Sequence, residues 1–421
     1  MVLAFWIEIK RPEATDYVAL HKTCTIFSVK LNALAVLKAK NASEYVATRE
    51  QLRIPHGKNQ GPQRDRPIVF MMHGLTGCSN SFVELGPKYA LGFNFADAGY
   101  DVWIGNARGV GNSRRHISLN PDNRIDKYDF FEFTYEDIGL KDLPAMIDFA
   151  LNHTGQSKIH YIGHSQGGTA FLVLNSMKPE YNDKFIAAHL LAGIGYMNYF
   201  PNSSLKRAAY FTNTIYTLAR TSGIVEIYGP DWDESRSSAA MSKADNGQTA
   251  RESLEDIIEE LVSDADLIAG SSVKQFAHYG QNINDRKFRR WYYSPLTNLI
   301  VYGRSVPPEY DLSKVTVNTI MHYTIGDDLL DERDVISMAN AMPNARVRRV
   351  AKDDFSHVDF VASSYVKYLV TEYILDDLLL LTYKVKQGKL NLKLLVQRVQ
   401  FQQAQTKKNQ PIAKRLKMEE E

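Results

Sequence analysis

The chain has 421 residues, of which 50 are basic and 48 acidic, so its formal net charge at pH 7 is +2. This near balance argues against a chain built mainly to bind nucleic acid. With 44% hydrophobic and 23% charged residues, the composition is that of an ordinary globular protein, which excludes global disorder, a collagenous repeat and a disulfide-rich scaffold.

Two apolar stretches near the N-terminus bear on membrane insertion and secretion. Neither reaches the roughly 18 to 20 uninterrupted apolar residues that span a bilayer as a helix. The first, within residues 1–13, carries Glu8 and has its basic residues behind the apolar run, and the second, residues 23–37, contains Lys30. Neither has the order of a secretory signal, which begins with basic residues and ends at a small-residue cleavage site. Because no stretch is long enough to span a bilayer, we expect a soluble protein. Because neither stretch has the order of a signal, we expect either that the protein stays inside the cell or that this N-terminus is not the natural one.

From residue 66 onward, short β-branched and aromatic runs alternate with longer segments of helical period. This order predicts the α/β class, a parallel sheet covered by helices. One helix begins at Thr134, whose hydroxyl can cap the amides ahead of it, and ends near Gly155, which can adopt a left-handed conformation. Two further helices are predicted over residues 169–177 and 358–381. The predicted strands cover residues 68–72, 101–104, 158–162, 187–192, 317–323 and 347–350.

The alternation of strands and helices stops after Gly195. Residues 196–309 are helical in pattern and polar, for example at 251–262 and 272–281, and we interpret them as a helical insertion between two strands. The last segment, residues 384–421, holds ten Lys or Arg and three Glu, and it cannot bury enough apolar area to become ordered. The predicted regions are an atypical N-terminal region (1–52), the first part of the core (53–195), a helical cap (196–309), the second part of the core (310–383) and a basic, disordered tail (384–421).

The sharpest motif is G-H-S-Q-G over residues 163–167, which matches G-x-S-x-G. The bare pattern is weak, but here it stands between the predicted strand 158–162 and the predicted helix 169–177. A strand, a sharp turn and a helix make a nucleophile elbow, in which glycines are needed because a side chain would collide with the neighbouring strand. Ser165 is therefore the candidate nucleophile. The alternative is a glycine-rich turn without chemistry.

A serine hydroxyl is a poor nucleophile until a base takes its proton, so a histidine must lie near Ser165 in the fold. His357 is the candidate, because it follows the predicted strand 347–350 and a polar loop, at the carboxyl edge of the sheet where such folds place their sites. His322 lies inside the predicted strand 317–323, and we interpret it as a core residue.

The base in turn needs a carboxylate to orient it, and one acidic segment precedes His357. The sequence I-G-D-D-L-L-D over residues 325–331 directly follows the predicted strand 317–323. Asp328 is the first choice for this acid, and Asp331 and Asp327 are the alternatives. The resulting order of serine, aspartate and histidine is the one known for α/β-hydrolases.

Acyl transfer passes through a tetrahedral oxyanion that two fixed N–H groups must stabilise. One candidate is the amide of Gln166, just after the nucleophile at the head of a predicted helix. The other is the amide of Leu75, in the loop that follows the predicted strand 68–72. Taken alone, His73-Gly74 is more typical of a plain strand-ending turn. This chemistry requires no metal and no cofactor.

Together these segments resemble the acid lipases, the gastric and lysosomal group of α/β-hydrolases. The resemblance extends over about residues 53–381. In that family the acid is the aspartate directly before Leu-Leu, which corresponds here to Asp328. The similar stretches, in chain order, are residues 73–75, 101–109, 141–145, 155–156, 163–167, 272–281, 291–310, 326–330 and 357–360.

The resemblance implies an α/β-hydrolase fold with a helical cap and a serine lipase or esterase acting on neutral lipid esters, triacylglycerol or cholesteryl ester. The implied partner is a lipid–water interface, with no nucleic acid. A second hypothesis is a non-catalytic lipid-binding protein on the same scaffold. A third, nucleic-acid contact through the basic tail 384–421, is not favoured, and a solvated tail is preferred to contact with anionic lipid or an import signal.

The resemblance also implies secretion or a lysosomal location, although no signal peptide is evident in this N-terminus. Three asparagines, Asn41, Asn152 and Asn202, head N-x-S/T sequences, and that at Asn152 is similar to a glycosylation site of the family. The chain departs from the family in its cap, because its only cysteines are Cys24 and Cys78. A cap disulfide expected from the family is therefore absent.

Overall fold

In this computed structural model the described residues are 51–57, 65–111, 113–229 and 269–386. The predicted helix 251–262, most of the predicted N-terminal region and nearly all of the tail 384–421 lie outside these residues, as do Cys24 and Asn41.

A seven-stranded sheet organises the fold, in the order β1-β3-β2-β4-β5-β8-β9. Only β1 is antiparallel to its neighbour, and the other pairs are parallel. The predicted α/β class and all six predicted strands are confirmed, while β1 was not predicted. The strands of this sheet are β1 Gln51–Ile54, β2 Ile68–Met72, β3 Asp101–Gly105, β4 Ile159–His164, β5 Phe185–Leu191, β8 Thr319–Tyr323 and β9 Ala345–Arg349.

The central strands are buried along their whole length. Every residue of β2, β3 and β4 is buried, as expected for parallel strands whose two faces are both covered by helices. The described helices are α1 Gly86–Tyr89, α2 Leu91–Asp97, α3 Asp126–Phe130, α4 Tyr135–Asp137, α5 Leu143–Thr154, α6 Gln166–Met177, α7 Ser203–Tyr210, α8 Thr212–Thr221, α9 Val273–Asp285, α10 Pro295–Tyr302, α11 Glu332–Ala341, α12 Asp359–Ala362 and α13 Glu372–Lys386.

The helical segment predicted from Thr134 to Gly155 is confirmed at both ends. The Thr134 hydroxyl accepts from the Glu136 amide, and the Asp137 carboxylate accepts from the Thr134 amide, which makes a capping box. Gly155 closes the segment in the left-handed conformation, with φ of 70°. A π-helical turn, Ile138–Asp142, joins α4 to α5 and was not predicted.

The prediction of a single helix over residues 358–381 is wrong, because the helix is interrupted after α12. Ser363 is extended, with φ of −96° and ψ of 137°, and its hydroxyl accepts from the Tyr365 amide at 3.2 Å. Hydrogen bonds between a serine hydroxyl and a backbone amide two residues away compete with helix formation. A π-helical turn, Lys367–Thr371, follows, and α13 belongs to a separate compact unit.

The predicted cap, residues 196–309, lies in the chain between β5 and β8, two adjacent parallel strands of the sheet. Its described part contains the helices α7, α8, α9 and α10. It also contains two short strands that were not predicted, β6 Glu226–Ile227 and β7 Ser271–Ser272, which pair antiparallel. Among the described helices, none is long and apolar enough to cross a bilayer.

Candidate active site

Ser165 occupies a strained bend between β4 and α6. Its φ of 50° and ψ of −115° are rare for a residue with a side chain, and such strain persists only where the surrounding structure enforces it. The Ser165 amide donates to the Leu191 carbonyl at 2.9 Å, and the Ser165 carbonyl accepts from the amides of Gly168 and Thr169. This geometry is that of a nucleophile elbow.

The glycines around Ser165 are required by close backbone contacts. A Cβ on Gly163 would lie 2.7 Å from the Gly167 carbonyl carbon, and a Cβ on Gly167 would lie 2.2 Å from the Met72 carbonyl oxygen. A Cβ on Gly168 would lie 2.5 Å from the Cα of Gly193. Side chains at these three positions would therefore collide with neighbouring backbone atoms, as predicted.

His357 bonds to an aspartate through one ring nitrogen. Its Nδ1 lies 2.8 Å from Oδ2 of Asp327, and both side chains are buried. Its Nε2 is buried and forms no hydrogen bond with any residue that the structure describes. A ring whose Nδ1–H is held by a carboxylate presents Nε2 as a proton acceptor, which is the arrangement a general base needs.

The expectation that Asp328 contacts His357 is wrong, because Asp327 occupies that place. Asp327 turns inward, and its Oδ1 accepts from the amides of Leu329 at 2.8 Å and Leu330 at 3.0 Å. These bonds orient the carboxylate and leave Oδ2 for His357. Asp328 is exposed. The third candidate, Asp331, caps α11 and pairs with Arg333.

Two opposing effects set the pKa of His357. Burial lowers it, whereas the charge and hydrogen bond of Asp327, with a smaller contribution from the charge of Asp328, raise it, and the net result is a pKa above the ordinary 6.5. A buried imidazole next to a carboxylate is stabilised in its protonated form. The pair is therefore prepared to take up a proton from a nearby hydroxyl.

His164 joins the serine bend to the loop of His357. Its Nε2 lies 3.0 Å from the His357 carbonyl oxygen, and the two ring centroids are 5.2 Å apart. Burial and the charge of His357 lower the pKa of His164 to about 3, so the ring is neutral and Nε2 is the donor. Because Ser165 directly follows His164, this bond brings Ser165 and His357 to one place. Sequence reasoning missed this role.

The Leu75 amide is oriented by His73. The Ala107 amide donates to Nε2 of His73 at 3.1 Å, so Nδ1 carries the proton and donates to the Gly74 carbonyl at 2.7 Å. Burial, opposed by the bond to Gly74, lowers the pKa of His73 to about 4. In a planar trans peptide the N–H points opposite to the C=O, so the Leu75 N–H points away from His73.

Both candidate oxyanion donors lie near Ser165. A Cβ on Gly74 would be 3.1 Å from the Ser165 Cβ, so the Gly74–Leu75 peptide lies beside Ser165. The Gln166 amide is the first of α6, where amides lack a partner within the helix and the helix dipole is positive. The positioning role of His73 was not predicted. The only sequence signal for it was a histidine directly before the glycine of the strand-ending turn.

Ser165 and His357 line one cavity of about 230 Å³. Its lining is mostly apolar, and much of that lining comes from helices α7, α8 and α9 of the segment 196–309. Convergent polar groups within a mostly apolar cavity are typical of small-molecule and lipid sites. The residues of these three helices that line it are Leu205, Ala208 and Ala209 of α7, Thr212, Ile215 and Tyr216 of α8, and Val273, Phe276, Ala277, Tyr279, Gly280 and Ile283 of α9.

Comparisons with known proteins agree with this architecture. A family model described as the alpha/beta hydrolase fold matches residues 67–361. Lipase 3 of Drosophila melanogaster is 31% identical, covering 78% of this chain and 84% of the relative. Gastric triacylglycerol lipase of Rattus norvegicus is 31% identical, covering 73% of this chain and 80% of the relative. Human lysosomal acid lipase/cholesteryl ester hydrolase is 30% identical, covering 73% of this chain and 79% of the relative.

The sheet, the strained serine and the buried histidine–aspartate pair define the class of α/β-hydrolases. Within that class the chain belongs to the family of gastric and lysosomal acid lipases, as the sequence resemblance predicted. It is a carboxylic ester hydrolase of the lipase type.

Proposed function

We propose that this protein hydrolyses carboxylic esters of neutral lipids through a Ser165, His357 and Asp327 triad and an acyl-enzyme intermediate. The observation that carries the proposal is that Ser165 and His357 line one cavity, while Nδ1 of His357 is hydrogen-bonded to Asp327. Asp327 takes the role that the sequence reasoning assigned to Asp328.

In the first step, Ser165 Oγ attacks the acyl carbonyl carbon while His357 Nε2 takes the hydroxyl proton. The C–O bond to the alcohol then breaks, and His357 returns that proton to the leaving oxygen. A water molecule, deprotonated by the same nitrogen, then attacks the acyl carbonyl carbon. The C–O bond to Ser165 Oγ breaks, His357 returns the proton to that oxygen, and the fatty acid leaves. Asp327 keeps the Nδ1–H tautomer and stabilises the imidazolium that forms in each half of the reaction.

The oxyanion of each tetrahedral intermediate accepts from the amides of Leu75 and Gln166. Two features support this assignment: the Gly74–Leu75 peptide is fixed by His73, and the Gln166 amide begins α6. Fixed donors need no reorganisation when charge develops, and the loss of one such donor typically costs about a hundred- to a thousand-fold in rate.

A neutral lipid ester, triacylglycerol or cholesteryl ester, is the proposed substrate class, and it is presented at a lipid–water interface. Support comes from the apolar cap wall of the cavity, because an acyl chain needs an apolar pocket. The relatives carry the names gastric triacylglycerol lipase and lysosomal acid lipase/cholesteryl ester hydrolase. These names also support a secreted or lysosomal location, and the exposed Asn152 is available for glycosylation there.

A fluorophosphonate probe tests the nucleophile. The wild-type protein should be labelled, and Ser165→Ala should abolish labelling and lower ester turnover by about 10⁴-fold or more. Ser81→Ala is the matched control, because Ser81 is also buried and lines the same cavity. An unlabelled wild-type protein, or equal labelling after Ser165→Ala, would refute the triad. Lipid retention without turnover would favour a lipid-binding protein instead.

The substrate class is tested by comparing emulsified triolein and cholesteryl oleate with a short, soluble ester at acidic and neutral pH. Turnover of the long-chain esters supports the proposal. Turnover confined to the soluble ester contradicts the lipid part of it and leaves the esterase chemistry intact.

A further inference from the structure

One helix of the cap carries its apolar side chains outward. Leu296 and Ile300 are 71% and 80% exposed, and they stand with Leu299 on one face of α10, at helical spacing of three and four residues. We call the six exposed side chains of this region the α10 surface: Tyr293, Leu296, Leu299, Ile300, Val301 and Val306. Clustered apolar exposure of this kind marks an interaction site.

The exposure is not a consequence of a loose helix. The Ser294 hydroxyl caps α10 by accepting from the Thr297 amide at 3.1 Å, and Gly303 closes the helix with φ of 71°. On the inner face, Asn298 is fully buried and its side chain donates to the Ser305 carbonyl at 2.9 Å. The Tyr302 hydroxyl donates to the Trp291 carbonyl at 2.8 Å. The helix is therefore fixed with its apolar face outward.

The charge around the helix is positive. Residues 286–308 contain five basic residues and no Asp or Glu. Lys287, Arg289 and Arg290 pair with carboxylates outside this stretch. The other two, Arg286 and Arg304, are exposed, and neither is in an ion pair with another described residue. Free cations beside exposed apolar side chains complement an anionic amphiphile layer.

Aromatic contacts connect the α10 surface to the cavity. The ring of Tyr293 lies 6.4 Å from that of Trp291, which lies 5.4 Å from the ring of Tyr216, and Tyr216 lines the cavity. Tyrosine and tryptophan are favoured where an apolar layer meets water, because each has an apolar body and a polar atom. The surface is thus one aromatic layer away from the cavity wall.

We propose that the α10 surface inserts into an anionic phospholipid layer, such as the coat of a lipid particle, and holds the enzyme at the interface. The choice of a lipid as the partner rests on the proposed lipase function. The apolar side chains enter the boundary between head groups and acyl chains, while Arg286 and Arg304 contact phosphate groups.

Sedimentation with vesicles tests this surface on the full chain. Wild-type protein should sediment with vesicles of equal parts phosphatidylcholine and phosphatidylglycerol, and less so at high salt. Ile300→Glu should weaken this binding by at least about tenfold, because it removes apolar insertion and adds a repelled charge. The matched control is Ile125→Glu, since Ile125 is also 80% exposed but lies outside the cap, and it should bind as the wild type does. Both variants should keep turnover of a soluble short-chain ester.

A second variant detects insertion directly. The fluorescence of Ile300→Trp should shift to the blue on addition of the mixed vesicles and should be quenched by brominated acyl chains. Absence of wild-type binding, equal binding by Ile300→Glu, or no fluorescence change would each overturn the inference, as would a dimer in solution that Ile300→Glu dissociates. Vesicle binding without any ester turnover would refute the proposed function alone, and turnover without α10-dependent binding would refute only this inference.

Discussion

Asp327 and Asp328 are neighbours in one turn, yet only one of them is placed to orient His357. Asp327 is held inward by the amides of Leu329 and Leu330, whereas Asp328 is exposed and acts on His357 only through its charge. A carboxylate orients a histidine through a hydrogen bond of defined geometry, which charge at a distance does not replace. The two residues should therefore respond very differently to the same substitution.

Asp327→Asn should lower kcat by about 10⁴-fold, because the amide cannot accept from both His357 and the backbone amides. It should also move the acid limb of kcat/KM to lower pH. Protonated His357 cannot accept the serine proton, so activity falls as pH drops through its pKa. Asp327 raises that pKa, and burial, which remains in the variant, lowers it. The measurement is the pH profile of soluble ester hydrolysis.

Asp328→Asn is the matched control and should keep kcat within about threefold of the wild type, with at most a small shift of the acid limb in the same direction. If Asp328→Asn loses the greater part of the activity while Asp327→Asn retains it, Asp328 is the acid, as the sequence resemblance implied. The hydrogen bond between Asp327 and His357 would then not be required for catalysis.

The candidate site was predictable from the sequence where a residue type and a neighbouring element fixed it together. Ser165 stands in a glycine-rich turn between a strand and a helix, and His357 follows the last strand of the sheet, so both could be predicted. The choice between Asp327 and Asp328 depends on the backbone angles of one turn, which periodicity does not encode. The bond from His164 to the His357 carbonyl joins residues 193 positions apart, and no local pattern predicts it.

At the scale of elements, the elbow depends on how closely β2, β4 and α6 approach one another. Gly167→Ala places a Cβ 2.2 Å from the Met72 carbonyl oxygen, which is backbone and cannot move aside. The free energy of unfolding should therefore fall by about 3 kcal/mol or more, as for overpacking at a rigid site. Denaturant unfolding followed by circular dichroism measures it, and loss of soluble expression would be the extreme form of this result.

Gly155→Ala is the comparison for that substitution. Gly155 has φ of 70°, and no atom of the described residues lies within 4 Å of the place that a Cβ would take. Only the left-handed backbone is therefore penalised, by about 1 kcal/mol. Equal destabilisation by the two substitutions would mean that conformational freedom, and not the close approach of the strands, explains the glycines of the elbow.

A helix was predictable where a local signal marked each of its ends, as Thr134 and Gly155 do for the segment between them. The break after α12 was missed because an apolar pattern continued through it, and only the Ser363 hydroxyl bond reveals the competing turn. The pair of β6 and β7 was missed because two-residue strands carry no alternating pattern. Short elements of this kind are set by contacts far apart in the chain, which local sequence patterns do not contain.

At the scale of the whole molecule, one carboxylate from the first part of the core, residues 53–195, contacts two cap helices. Glu132, in the loop between α3 and α4, accepts from the Tyr216 hydroxyl at 3.1 Å and pairs with Arg220 of α8 and Lys274 of α9. The Lys274 side chain is only 7% exposed, so loss of its partner would leave a buried ammonium group unpaired. This cluster therefore ties the wall of the cavity to the core.

Glu132→Gln keeps the size of the side chain and removes its charge. Because Glu132 is itself partly exposed, water screens much of the attraction, and we expect the cap to lose about 1 kcal/mol of local stability. Amide hydrogen exchange in α8 and α9 should then accelerate by about fivefold, while exchange in the central strands stays unchanged. Glu309→Gln is the control, since Glu309 pairs with Lys287 and both side chains are more than half exposed. Acceleration in the strands as well, or an equal effect of Glu309→Gln, would show that Glu132 stabilises the fold as a whole and not the attachment of the cap.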